Sequence, residues 1–190
     1  DGDRLTLASD RVACDVDEVR RLTRDGSPSA LQHAGALCQG PLLDGIDVAA
    51  PEFEEWLRMA RAEVEDLMVA VHEARLAVLS VEGDPDEAAA IAEALIGIDP
   101  LNERGHRALI AAATAQGATT RALQIYETFR QRLEDELGVA PEQDTARLVA
   151  GLRKPRADVV ARDAPEEIRS PASGRPTVFV APFRPSGGAG

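Results

Sequence analysis

The feature that most constrains this chain lies between residues 53 and 78. Phe53, Leu57, Ala60, Val64, Leu67, Val71, Ala74 and Val78 follow one another at spacings of 4, 3, 4, 3, 4, 3 and 4. A strand turns successive side chains to opposite faces, so it cannot gather these eight on one side; an α-helix can. Pro51 suits a first helical turn, Trp56 and Met68 widen the stripe, and the spacing predicts one helix over 51–81. Such a seam must be buried against other helices, within the domain or across a dimer. The shorter apolar helices that follow make packing within the domain the expectation.

Those helices carry explicit punctuation. Asp84-Pro85-Asp86-Glu87 offers a capping carboxylate, a proline at the first helical position and acids in the first turn. Ala88, Ile91, Ala92, Leu95 and Ile98 then form one face, and Asp99-Pro100 ends it. A second helix is expected from about Asn102 to Gln116 with Gly117 as its cap, a third over 119–137 before Gly138, and a last one from near Pro141 to near Leu152. Glu87-Ala-Ala-Ala-Ile-Ala92 and Arg121-Ala-Leu-Gln-Ile-Tyr126 lie 34 residues apart, with Ala88 matching Ala122 and Ile91 matching Ile125. That is the tetratricopeptide period, and it predicts stacked helical hairpins with a concave groove for protein partners. The usual Trp and Gly positions of that repeat are not matched.

Upstream, Arg4-Leu-Thr-Leu-Ala8, a turn at Ser9-Asp10 and Arg11-Val-Ala-Cys-Asp15 read as a short β-hairpin over 1–15. Two short helices are expected over 16–24 and 28–38, and Gly40-Pro-Leu-Leu-Asp-Gly45 reads as a turn-rich loop presenting two leucines. Half of the twelve prolines lie in 153–190. Residues 153–174 therefore read as a linker, and 175–190, with Pro176-Thr-Val-Phe-Val-Ala-Pro-Phe183, as the first strand of a truncated second domain. Both ends read as cuts through a longer chain.

The fold class expected is all-α, tetratricopeptide-like helical hairpins behind a short N-terminal hairpin, with the main domain over 16–152. Apolar residues make up 44% and aromatics 3%, so the core is to be built from Ala, Leu and Val, which suit close helix packing. Residues 153–190 hold seven Lys/Arg against four Asp/Glu, leaving 14 against 29 before them. The helical part is thus about −15 and repels nucleic-acid phosphates and anionic membrane surfaces. No run approaches the ~18 apolar residues of a membrane span. Cys14 and Cys38 are expected to be reduced cytoplasmic thiols.

Catalytic chemistry finds no support. His33, His72 and His106 have no metal-ligand spacing and read as surface or partly buried residues. The carboxylates Glu52, Glu54, Glu55, Glu63, Glu65 and Asp66 read as a solvated helix face, and Ser27, Ser80 and Ser170 lack a nucleophile elbow. No Gly-Lys-Ser/Thr follows the glycines. Arg20, Arg21 and Arg24 stand among Asp15, Asp17, Glu18 and Asp25, again the pattern of a solvated face. The expectation is no enzyme, no cofactor and no metal.

An ordered series of motifs resembles one family. Leu133-Glu-Asp-Glu-Leu-Gly-Val-Ala-Pro141, with Thr145, Leu148 and Leu152-Arg153, resembles the closing signature of the bacterial transcriptional activator domain of antibiotic-regulatory and AfsR-like regulators. Val12 to Leu22, Leu37-Cys-Gln-Gly-Pro-Leu-Leu43, Glu55-Trp56-Leu57 with Arg61 and Leu67, Asp99-Pro-Leu-Asn-Glu103 and Arg121-Ala-Leu-Gln-Ile-Tyr126 resemble its earlier junctions. The likeness spans about residues 5–153. It implies a protein–protein interaction or self-association module of a transcriptional regulator, coupling signals to an adjacent winged helix-turn-helix. DNA would be reached only through that N-terminal domain, of which 1–15 would be the remnant wing. Pro176 to Phe183 resembles the opening strand of TolB-like domains. The alternative is a helical-repeat scaffold in a non-transcriptional signalling protein, fused to a TolB-like or cyclase domain. Candidate partner-binding residues are Leu42, Leu43, Trp56 and Tyr126, with the concave face of the 84–152 helices.

Overall fold

A computed structural model describes residues 13–46, 48–79 and 83–153. These form seven helices: α1 Asp15–Asp25, α2 Pro28–Leu37, α3 Pro51–Val78, α4 Pro85–Ile98, α5 Glu103–Ala115, α6 Thr119–Leu137 and α7 Gln143–Arg153. No strand occurs among the described residues, and the all-α, hairpin-stacking fold stands. Most of the hairpin expected over 1–15 lies outside the described residues. Its last residue, Asp15, instead opens α1, where Asp15, Asp17 and Glu18 favour the positive helix N-terminus. At the other end Arg153 closes α7 rather than starting a linker; residues 154–190 lie outside the described residues.

The helix boundaries follow local chemistry. Ser27 accepts a hydrogen bond from the Ala30 N–H, and Pro28 fills the first position of α2. Asp84 accepts from the Asp86 N–H ahead of Pro85, and Asn102 accepts from the Gly105 N–H at the start of α5. Gly138 takes φ +67° and bonds back to Glu134, the left-handed cap that ends α6. The long helix stops earlier than the spacing predicts: Leu79 has left it, at φ −66° and ψ 117°.

Helix α3 is the shared wall of the fold. It packs on α1, α2, α4 and α5, while consecutive helices α4 to α7 pack on each other. One cluster joins Val19, Leu22, Ala30, Ala34 and Val71; a second joins Ile110, Ala113, Ala122 and Val149. Ile91, Ala92, Leu95, Phe129 and Leu133 are buried as well. Small residues set the spacing. A Cβ on Gly35 would come within 2.5 Å of the Arg75 guanidinium, so that glycine lets Arg75 lie across α2. A Cβ on Gly105 would meet Ile96 at 3.0 Å, a mark of how closely α4 and α5 approach.

The seam on α3 is buried only in part. Leu57 and Val71 are buried, but Phe53, Ala60, Val64, Leu67 and Ala74 are half-buried and Val78 is exposed. Met68 and His72 take the missing places. A strict seven-residue repeat drifts by ~20° per heptad around a straight helix. The buried line therefore follows the helix's own period, from Leu57 to Met68 eleven residues on.

The matched pairs of the repeat differ in burial: Ala88 is half-buried where Ala122 is buried, and Ile91 is buried where Ile125 is half-buried. Leu95 and Phe129, also 34 residues apart, are both fully buried. On the second helices the offset is 39: His106 matches Thr145 and Ile110 matches Val149, all four buried. The difference lies in α6, which has 19 residues where α4 has 14. Neither His72 nor His106 is at the surface. His106 stacks on Phe129 with ring centroids 4.0 Å apart, and its Nε2 lies 3.0 Å from the Pro100 carbonyl. That bond requires a proton on Nε2, leaving Nδ1 without a partner. Burial pushes the pKa of both histidines down, so both are kept neutral.

Candidate functional site

The chain between α2 and α3 carries the most unusual backbone among the described residues. Cys38 ends α2, its thiol donating to the Ala34 carbonyl at 3.3 Å. After Pro41, Leu43 adopts φ +51°, the one non-glycine residue with positive φ among those described. For a leucine this conformation costs about 1–2 kcal/mol, so something must hold it. Arg61 of α3 does: its Nε donates to the Leu42 carbonyl at 2.9 Å and its terminal nitrogen to the Leu43 carbonyl at 3.1 Å. The loop is thereby clasped onto the first half of the long helix.

Two clefts flank the clasp. One, of about 340 Å³, lies between the first turns of α1, the loop and the middle of α3; Val16, Val19, Leu42, Val64, Leu67 and Met68 supply its apolar lining. The other, an open groove of about 580 Å³, has Ile46 and Val48 on one wall and Phe53 and Leu57 on the other. Glu54, Arg58, Arg61 and Glu65 edge it. Ile46 and Val48 are 47% and 44% exposed, and Trp56 and Met59 on the adjoining helix surface are 48% and 60% exposed. Four large apolar side chains are thus exposed on neighbouring stretches of chain. The Trp56 and Phe53 rings lie 5.5 Å apart, tilted.

Of the residues singled out in the sequence, Leu42 is half-buried and Leu43 is exposed in the clasped loop, and Trp56 stands on the same half of α3. Tyr126 is elsewhere, half-buried on α6 against the second core cluster, with the Arg153 guanidinium 5.9 Å from its ring centroid. Helices α4 and α6 meet through the Arg121–Glu93 ion pair at 3.4 Å, and α5 adjoins both α3 and α7. The shallow groove there holds Ala77, Ala108 and Ala111, and its two arginines are paired: Arg104 with Glu73 and Arg107 with Glu142, each at 3.3 Å. Sequence reasoning missed the Arg61 clasp, the conformation of Leu43, and Ile46, Val48 and Met59. A leucine inside Gly-Pro-Leu-Leu-Asp-Gly was the available signal for a strained turn.

The arginines of α1 are held by neighbouring groups. Arg20 bridges Asp17 at 3.1 Å and Glu63 at 2.6 Å, Arg21 grips Glu18, and Arg24 bonds the Arg20 carbonyl. The Arg21 hydrogen bond holds the Glu18 carboxyl below its usual range. Ser27 is a helix cap. Burial pushes the Cys38 thiol up, away from a reactive thiolate. Among the described residues no three His, Cys, Asp or Glu side chains are grouped to hold a metal ion, and no helix is long and apolar enough to cross a membrane. A family model described as the bacterial transcriptional activator domain matches residues 9–153. No curated protein and no solved structure matches the chain significantly.

Proposed function

We propose that this chain, which belongs to the bacterial transcriptional activator domain family, is the protein-contact module of a cytoplasmic regulator that passes a signal to an attached DNA-binding domain. The family is one of regulators, and the chain's own features favour contact over chemistry. The observation that carries the reading is the clasped loop: Arg61 holds Leu43 in a strained conformation beside exposed Ile46, Val48 and Trp56. Strain of this kind persists where the surroundings over-determine it, and it gathers at binding surfaces. A module of this sort takes a protein partner, or a second copy of itself, and meets DNA through its neighbour. Its main body over 16–152 carries the contact, and the segments on either side join it to the rest of the regulator.

The test is a transcription reporter driven by the regulator that carries this chain. Leu43→Asp is expected to reduce induced output several-fold while leaving the helical content and melting of the purified chain unchanged, because Leu43 adds little to the core. Undiminished output from Leu43→Asp and from Trp56→Ala would refute this reading.

A further inference from the structure

The chain's only two cysteines lie 24 residues apart in the sequence, yet the fold brings them to one end of one helical hairpin. Cys14 is the residue before the 11-residue α1, and Cys38 the residue after the 10-residue α2. Gly26 and Ser27 alone join these helices, which pack side by side through Val19, Leu22, Ala30 and Ala34, so the second runs back along the first. At a rise of about 1.5 Å per residue the two cysteines stand at nearly the same height. The first turn of α1, at Asp15 and Val16, and the end of α2, at Leu37 and Cys38, line a single cleft. Both thiols are free; Cys14 is exposed and Cys38 half-buried.

We infer that Cys14 and Cys38 form a reversible dithiol–disulfide site that fastens the start of α1 to the end of α2, with a low-molecular-weight disulfide as its oxidant. Alanines at the contact let the helix axes approach to about 8 Å, and a disulfide spans Cα atoms about 4.4–6.8 Å apart. Cys14, at an exposed helix end with only a 4.0 Å contact from its sulfur to Asp15, has the freedom to cover the difference. Cys14, as thiolate, attacks one sulfur of the small disulfide. That S–S bond breaks, one half leaves as a thiolate that takes up a proton, and the other half stays on Cys14 as a mixed disulfide. Cys38, its proton given to solvent, then attacks the Cys14 sulfur and expels the second half. Two protein thiols are oxidised to one disulfide, and one small disulfide is reduced to two thiols. Burial pushes the Cys38 thiol up, so the second step is the slow one and quickens as pH rises. Oxidation takes the Cys38 sulfur off the Ala34 carbonyl, 3.3 Å away in the reduced chain. The start of the loop that Arg61 clasps is thereby tied to α1. This site goes beyond the contact-module reading and does not depend on it.

The probe is oxidised glutathione, added to the reduced full chain, with samples quenched in acid and read by intact mass. The folded chain is expected to lose two hydrogens and retain no glutathione, and a reducing thiol should restore the original mass. Cys38→Ser should instead keep one glutathione on Cys14, because nothing is left to expel it. Cys14→Ser should react more slowly than either, since Cys38 is half-buried. In urea the hairpin no longer holds the two sulfurs together, and the ratio of internal disulfide to glutathione adduct should fall about tenfold or more. A glutathione adduct that persists on the folded chain would overturn the inference by showing the cysteines out of reach. The same ratio in urea as in buffer, or disulfide-linked dimers on a non-reducing gel in place of the internal bond, would overturn it too.

Discussion

Phe129→Ala tests the packing argument at its densest point. The Phe129 ring is fully buried and covers one face of His106 at 4.0 Å. Truncating a buried phenylalanine costs about 3–5 kcal/mol, including the cavity left behind. For a domain of this size that lowers the melting temperature by about 8–15 °C. Urea unfolding followed by circular dichroism at 222 nm measures it. A second readout separates loss of the stack from loss of bulk. Burial holds the His106 pKa below its ordinary value, so the unfolded chain takes up this proton first as pH falls. The contribution to stability is complete above about pH 6.5 and is lost as pH drops toward the folded value. Without the ring, water reaches His106, its folded pKa rises toward the ordinary value, and this part of the acid slope flattens. Phe129→Leu, which keeps most of the volume, should cost about 1–2 kcal/mol. A loss under about 1 kcal/mol for Phe129→Ala, or an unchanged pH slope, would refute the reasoning.

Leu95→Ala, at a fully buried position on α4, should destabilise by about 3–5 kcal/mol, whereas half-buried Leu67→Ala on α3 should cost only about 1–2 kcal/mol; equal costs in denaturant titration would contradict the difference in their burial. Arg61→Met should lower stability by about 1–2 kcal/mol and release the loop, read as faster amide exchange at Ile46, whose N–H bonds the Leu43 carbonyl; unchanged exchange there would show that Arg61 does not hold the turn. The isolated chain should show no sequence-selective duplex DNA binding, since its helical body carries about −15; a salt-sensitive, selective gel shift would overturn that.

The helices were legible because their ends are written in side chains that act locally. Ser27, Asp84 and Asn102 each cap the helix they precede, and such contacts need no knowledge of the fold. What α3 buries was less legible. A heptad assumes one straight partner, whereas α3 packs on four helices, α1, α2, α4 and α5, so Met68 and His72 are buried although they lie off the heptad, while Val78 on it is exposed. Regularity also hid the second repeat unit, since a 34-residue spacing on α4 and α6 gives no hint that α6 is longer. At the candidate site Leu42, Leu43 and Trp56 could be picked from composition and exposure. Arg61, eighteen residues from Leu43, could not, because its role exists only once the loop folds back over α3.

The long helix has a mechanical meaning as well. Its 28 residues span about 42 Å at the usual rise, from the exposed Trp56 at one end to Glu73 near the other. There Glu73 accepts from the Asn102 side chain at 3.1 Å and pairs with Arg104, which ties the helix to the start of α5. The half that carries Trp56 and the half that meets α4 and α5 thus belong to one stiff rod, and the α4–α5 corner, where Pro100 and His106 sit, is fixed to the far end of that rod.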